Sequence, residues 1–220
     1  LSNSRAALDF FFPTRQGAGK CKVIYNGVDC QKFVRSEDSD SIREELGVPT
    51  NRIVIGHVGR VDPAKNHDVI FEVAVEICHR HPDVVFVLCG KGTDVYCHEK
   101  LQNTTSLVGR VYPLGYRSDV VRVLSTFDIF IFPSITEGQP NALIEAMLSG
   151  LPVVASNIPS IIETTPNELH SKLVDPLDVS GFVKAIENAI HQDDTNNYSE
   201  WAKEAFAPHR QFQEFLNELV

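Results

Sequence analysis

The chain has little of what extracellular and metal-binding proteins depend on. Its 220 residues include five cysteines, an odd number with no Cys-x-x-Cys spacing. Neither a disulfide framework nor a structural zinc site is indicated, and a reducing, cytoplasmic setting is expected. Positive charge is also short: 20 Lys and Arg against 29 Asp and Glu give a net charge of −9. A general nucleic-acid or bilayer-surface binder needs the opposite surplus, so no nucleic-acid partner is expected and any anion site must be local. No apolar run approaches the roughly 18 residues that cross a bilayer, and the longest, at 84–89 and 129–132, are strand-sized. No secretory signal is visible, and because the chain opens on Leu1 rather than Met it is expected to have lost its natural N-terminus. The eight histidines, among them the pair His79 and His81 beside Pro82, form no ligand constellation, so no metal is expected.

What is present suits a packed α/β domain. Hydrophobic side chains make up 43% of the sequence, enough for a full core. Short β-branched or aromatic runs at 53–58, 84–89, 110–114, 129–133, 152–156 and 172–174 alternate with longer amphipathic runs. That alternation predicts βαβ units and a Rossmann-like, doubly wound parallel sheet of about six strands with helices on both faces. Asn66, Ser118, Asn141 and Asp178 each stand where a helix N-cap is wanted. Residues 1–20, with a helix-like piece around Ala6 to Phe11 and a turn at Gly17 and Gly19, read as the tail of a preceding domain. Residues 21–195 read as the sheet domain, and 196–220 as two aromatic-rich helices that pack on it or cross to a missing domain.

Ligands of open α/β sheets bind beyond the carboxyl ends of the strands. After the first strand come Gly59, Arg60, Val61, Asp62, Pro63, Ala64 and Lys65. Arg60 offers a planar fork of donors and Lys65 a mobile point charge, a pair suited to a pyrophosphate; the alternative is a solvated loop whose cations pair with Asp62 and Asp68. After the fourth strand comes Glu137-Gly138-Gln139-Pro140-Asn141-Ala142-Leu143-Ile144-Glu145. Here a glycine turn leads into a helix N-terminus, an anion site built from peptide NH groups. Glu137 can accept from sugar hydroxyls, and Glu145 can grip a pair of ribose hydroxyls; the alternatives are a helix-dipole acid and an exposed helix face.

The string Glu137-Gly138-x-x-Asn141-x-x-x-Glu145-Ala146-Met147-x-x-Gly150-x-Pro152-Val153-Val154-Ala155 resembles the signature of the retaining GT-B glycosyltransferases of family 4, group 1. The resemblance begins at Val23-Ile24-Tyr25-Asn26-Gly27-Val28-Asp29, similar to the start of that family's C-terminal, donor-binding domain, and runs to the terminal helices. It implies transfer of a hexosyl group from a nucleoside-diphosphate sugar, a UDP- or GDP-sugar, to a hydroxyl acceptor (a sugar, lipid-linked sugar or polysaccharide), without a metal or other cofactor. Arg60 and Lys65 match the family's diphosphate-binding cations. Glu137 matches the acid beside the donor sugar, joining Arg60 and Lys65 as the residues that carry the reaction, and Glu145 the acid on the ribose. The amides of Gly138, Gln139, Pro140, Asn141, Ala142 and Leu143 stand in the segment that touches sugar and phosphate, Pro140 lacking an NH of its own. Gly90, Gly92, Tyr116 and Arg117 match loops lining the nucleoside pocket.

The family's N-terminal domain, which supplies most of the acceptor site and any membrane contact, is expected outside these residues, leaving the fragment little or no activity alone. Rival readings are a non-catalytic nucleotide-binding module, a dinucleotide oxidoreductase and an α/β hydrolase. The last two lack their Gly-x-Gly-x-x-Gly and Gly-x-Ser-x-Gly motifs.

Overall fold

A computed structural model describes residues 2–12, 22–33, 38–191 and 198–217. The expected Gly17–Gly19 turn, Cys21, the 195/196 boundary and the last three residues of the final helix lie outside that set. Five parallel strands, β1 (Ile53–Val58), β2 (Val84–Cys89), β3 (Val111–Gly115), β4 (Ile129–Phe132) and β5 (Val153–Ala155), lie in the order β3-β2-β1-β4-β5. The expected sixth strand at 172–174 is reduced to a single bridge between Ser156 and Val174. At Pro176, which has no NH to donate, that stretch ends.

The strands are apolar on both sides because the sheet is covered on both sides. Along β2 the side chains divide by parity: Val85, Val87 and Cys89 enter one core with Phe127, Phe130, Phe132, Leu143 and Met147, while Val84, Phe86 and Leu88 enter the other with Ile70, Ile77, Phe182 and Ile186. Gly56, in the middle of β1, carries the Phe127 ring where a side chain would stand; a Cβ there would lie 2.0 Å from the ring.

Along the chain the helices are α1 (Arg5–Phe11), α2 (Ser39–Glu45), α3 (His67–Arg80), α4 (Thr93–Asn103), α5 (Val120–Ser125), α6 (Asn141–Leu148), α7 (Pro159–Ile162), α8 (Asn167–His170), α9 (Val179–His191), α10 (Ser199–Ala205) and α11 (Pro208–Asn217). Three of the expected caps differ. Asn66 makes no capping bond; it is left-handed, at φ 56° and ψ 45°, and its amide NH₂ donates to the Pro133 and Pro176 carbonyls at 3.1 and 2.7 Å. Asp119 rather than Ser118 precedes α5, and Pro140 rather than Asn141 precedes α6. Asp178 does cap α9, accepting from the Gly181 amide at 2.9 Å.

The N-terminal piece docks on the sheet domain. Ser4, fully buried, caps α1 by accepting from the Ala7 amide at 3.0 Å, and the Glu163 carboxylate at the end of α7 receives the Arg5 amide at 3.0 Å. Residues 22–28 run alongside, with a parallel bridge between Ser2 and Val23.

Candidate functional site

The strand order changes direction between β1 and β4, and the loops leaving those two strands diverge there to form a crevice. A cleft of about 840 Å³ occupies it, lined by Gly59, Arg60, Lys65, Glu137, Gly138, Asn141, Ala142 and Glu145 among others. Eight of the residues singled out from sequence therefore face one space, within the size range of small-ligand sites.

Local structure aims Lys65. A 3₁₀ turn over Pro63–Lys65 is capped by Asp62, whose Oδ1 accepts from the Ala64 amide at 2.9 Å, and the left-handed Asn66 then turns the chain into α3. The two loops are tied together where the Ile135 amide donates to the Ala64 carbonyl at 2.8 Å. Lys65 Nζ donates to Glu137 Oε1 at 2.6 Å and stands 5.2 Å from the centroid of the Phe132 ring. Both partners are well shielded, their side chains 20% and 9% exposed. Arg60 is different: 71% exposed, it pairs among the described residues with Asp62 alone, at 3.2 Å, and so remains able to swing toward a ligand. Asp68, the other acid of the solvated-loop reading, pairs instead with Lys100 and the Tyr96 hydroxyl, away from Arg60 and Lys65.

At the mouth of α6 the NH groups divide. Asn141 N donates to the Gln139 carbonyl at 2.9 Å, and Leu143 and Ile144 N both donate to the Pro140 carbonyl at 3.0 and 3.1 Å. Among the described residues the amides of Gly138, Gln139 and Ala142 donate to nothing, leaving three donors at the positive end of the helix. Glu145 stands one turn further on, half-buried, and burial pushes its carboxyl up to about 7. It does not lie on an exposed face.

Not every residue expected at the site lines the cleft. The Gln139 side chain turns away from the cleft to grip Asn26, Leu143 is fully buried in the core, Pro140 is buried, and none of the three lines the cleft. Gly90, Gly92, Tyr116 and Arg117 stand at the ends of β2 and β3 but outside the cleft lining. Gly90 is required by packing, since a Cβ there would come within 2.1 Å of the Gly59 carbonyl oxygen. Gly92 precedes α4, Tyr116 is 77% exposed, and Arg117 is held by both oxygens of Asp119 at 2.8 and 2.7 Å.

Sequence reading also missed part of the wall. Ala6, Ala7 and Phe10 of α1 and Ile158, Pro159 and Ser160 at the start of α7 complete the lining. The second group follows β5, where the rule of inspecting every strand's carboxyl end would have found it. Beneath the Gly59 turn lie two buried imidazoles, His57 and His67, with ring centroids 5.0 Å apart. His57 Nδ1 donates to the Ile131 carbonyl at 2.9 Å, and burial drives the two rings down to about 3 and about 4, so both are neutral at physiological pH. Among the described residues no group of three or more His, Cys, Asp or Glu could hold a metal ion, and no helix is long and apolar enough to cross a membrane.

Residues 38–206 match the family described as glycosyl transferases group 1. The Escherichia coli UDP-Gal:alpha-D-GlcNAc-diphosphoundecaprenol alpha-1,3-galactosyltransferase is 35% identical over 171 residues, 76% of this chain and 44% of that enzyme. The GPI3 subunit of the Saccharomyces cerevisiae phosphatidylinositol N-acetylglucosaminyltransferase is 30% identical over 77% of this chain and 37% of its own length. The chain thus spans less than half the length of these curated relatives. Among solved structures, Anabaena HepE in complex with UDP and glucose superposes with a TM-score of 0.87 at 27% identity, covering 99% of this chain and 61% of that one. The C-terminal domain of the Francisella tularensis group 1 glycosyl transferase LpcC shares the fold at a TM-score of 0.70 and 21% identity, over 82% of this chain and 99% of that domain. By its sequence, and with the α/β architecture of GT-B glycosyltransferases, the chain belongs to the glycosyl transferases group 1 family.

Proposed function

We propose that this chain is the donor-binding half of a retaining, family 4 hexosyltransferase that moves a sugar from a UDP-sugar to a hydroxyl acceptor in the cytoplasm. The observation that carries the reading is the convergence of Arg60, Lys65 and the free amides of Gly138 and Ala142 on one cleft that also holds Glu137 and Glu145. UDP rather than GDP is favoured because HepE, which superposes over 99% of this chain, was crystallised in complex with UDP and with UDP-glucose.

Breaking a glycosidic bond to a diphosphate builds positive charge on the sugar and negative charge on the leaving oxygens, so donors fixed in place around those oxygens lower the barrier. The amides of Gly138 and Ala142 are fixed by the α6 turn, Lys65 by its own loop, and Arg60 closes from the exposed side. Glu137 holds Lys65 against the cleft wall at 2.6 Å, and its second oxygen is available to a sugar hydroxyl. It orients the donor rather than attacking the anomeric carbon. Glu145, as a carboxylate, accepts the two ribose hydroxyls. Most of the acceptor's contacts would come from a further domain outside these residues.

In the full-length enzyme Lys65→Ala should lower kcat for sugar transfer about 100-fold, as expected for a lost charge-assisted contact to a leaving group. Turnover within threefold of the parent would remove Lys65 from the reaction. Proton NMR of the first-formed product should show the donor's anomeric configuration kept; an inverted product would overturn the retaining assignment.

A further inference from the structure

Gln139 lies in the middle of the cleft's amide loop, yet its side chain faces the opposite way and is only 7% exposed. Its Oε1 accepts from the Asn26 amide at 2.6 Å and its Nε2 donates to the Asn26 carbonyl at 3.0 Å, so one carboxamide satisfies both backbone groups of a residue 113 positions away. The orientation is unambiguous, since exchanging oxygen and nitrogen would set donor against donor and acceptor against acceptor. On either side of Gln139 stand the cleft groups, Gly138 and Glu137 before it and the Ala142 amide one helical turn after.

Asn26 in turn belongs to a tight corner. A Cβ on Gly27 would lie 2.8 Å from the Pro208 Cα, and the Val28 amide donates to the Phe206 carbonyl at 3.0 Å, so residues 26–28 are wedged against the turn between α10 and α11. The far end of α6 is held from the same side: Ser199 Oγ, on α10, donates to the Leu148 carbonyl at 3.0 Å. The helix whose N-terminus faces the cleft is thus clamped at both ends by segments near the chain's two termini.

We propose that Gln139 is a positioning residue that ties the amide loop of the cleft to the corner formed by residues 26–28 and the α10–α11 turn, so that nucleotide occupancy and order at that corner rise together. The coupling runs through two part-buried hydrogen bonds made by the buried Gln139 carboxamide, and it is reciprocal: whatever fixes the corner tightens the cleft. It rests on the reading of the cleft as a nucleoside-diphosphate site.

Amide hydrogen exchange of this chain with and without UDP tests it. In the parent, UDP should slow exchange in the 137–142 loop and also at residues 26–28. In Gln139→Met, similar in length and without hydrogen-bonding groups, UDP should still protect the loop, with affinity lowered about fivefold, while protection at 26–28 disappears. Should the Met variant fail to melt cooperatively, Gln139→Glu decides. Its carboxyl reproduces the donor to Asn26 only when protonated, and burial at this position favours the neutral form, so UDP should protect 26–28 at about pH 5 and not at about pH 8. The proposal is overturned by parent protection confined to the loop, by a Met variant that keeps it at 26–28, or by a Glu variant indifferent to pH. A parent in which UDP protects no amide would instead overturn the nucleotide reading, and this inference with it.

Discussion

Glu145 shows what a side chain's surroundings add to its position in a motif. Half-buried in the cleft wall, it holds its proton up to about pH 7, because burial disfavours the charged form. A protonated carboxyl can accept from only one ribose hydroxyl well, so a nucleotide that uses both must find it ionised. Below about 7 the proton has to leave on binding, and above it the carboxylate is ready. UDP affinity should therefore rise with pH through that value. In Glu145→Gln, which cannot ionise, the part of the slope due to this group should vanish, leaving only the nucleotide's own phosphate titration. Parallel isothermal titrations from about pH 5.5 to about 8.5 check this; identical slopes in parent and variant would show that Glu145 does not meet the ligand. The chemistry of this residue was legible in the sequence. Its burial was not, since helical spacing says which residues share a face but not what covers it. Gln139 was read for its amide alone, and its side chain's direction was hidden for the same reason: the motif fixes the backbone path, while the side chain is held by Asn26, far away in sequence.

At the scale of elements, the 59–66 loop carries the site's geometry. Asn66 is the sole non-glycine residue among those described with positive φ, and the strain of a left-handed residue is offset by its two hydrogen bonds to the Pro133 and Pro176 carbonyls. One of those carbonyls belongs to the loop that carries Glu137, so Asn66 links both walls of the cleft. Asn66→Ala should cost about 2 kcal/mol of stability, one part strain and the rest lost bonds, and should also weaken UDP binding by misplacing Lys65. A variant with unchanged melting temperature and unchanged affinity would contradict that role. The sequence marked Asn66 as a helix cap because asparagine before an apolar stripe usually is one; the left-handed turn becomes visible only once the partners from two other loops are in place. The fifth and central strands were readable from their apolar runs, and the sixth was overcalled because Leu173 and Val174 are apolar but pair at one position only.

For the whole molecule, the doubly wound sheet decides where a ligand can bind, and that followed from the alternation of short and long apolar runs. The close approach of layers did not. Gly56 reads as an ordinary strand residue, yet the Phe127 ring fills the place of its side chain at 2.0 Å. Gly56→Ala should destabilise the chain by roughly 2–3 kcal/mol through overpacking, seen as a lowered midpoint in urea; a variant as stable as the parent would mean the two faces are packed more loosely than the structure has them. β1 is also the strand whose carboxyl end supplies Gly59, Arg60 and Lys65, so core packing and ligand site share one element.

The proposed function requires a diphosphate to be gripped where cationic side chains and free amides meet. Calorimetric titration of the chain with UDP and with uridine isolates that grip, because the two ligands share base and ribose. UDP should bind at least about 100-fold more tightly than uridine, the worth of two or so charge-assisted contacts, and that advantage should fall to near unity when Arg60 and Lys65 are both replaced by alanine. Equal affinity for UDP and uridine in the parent, or an undiminished preference for UDP in the double variant, would contradict it.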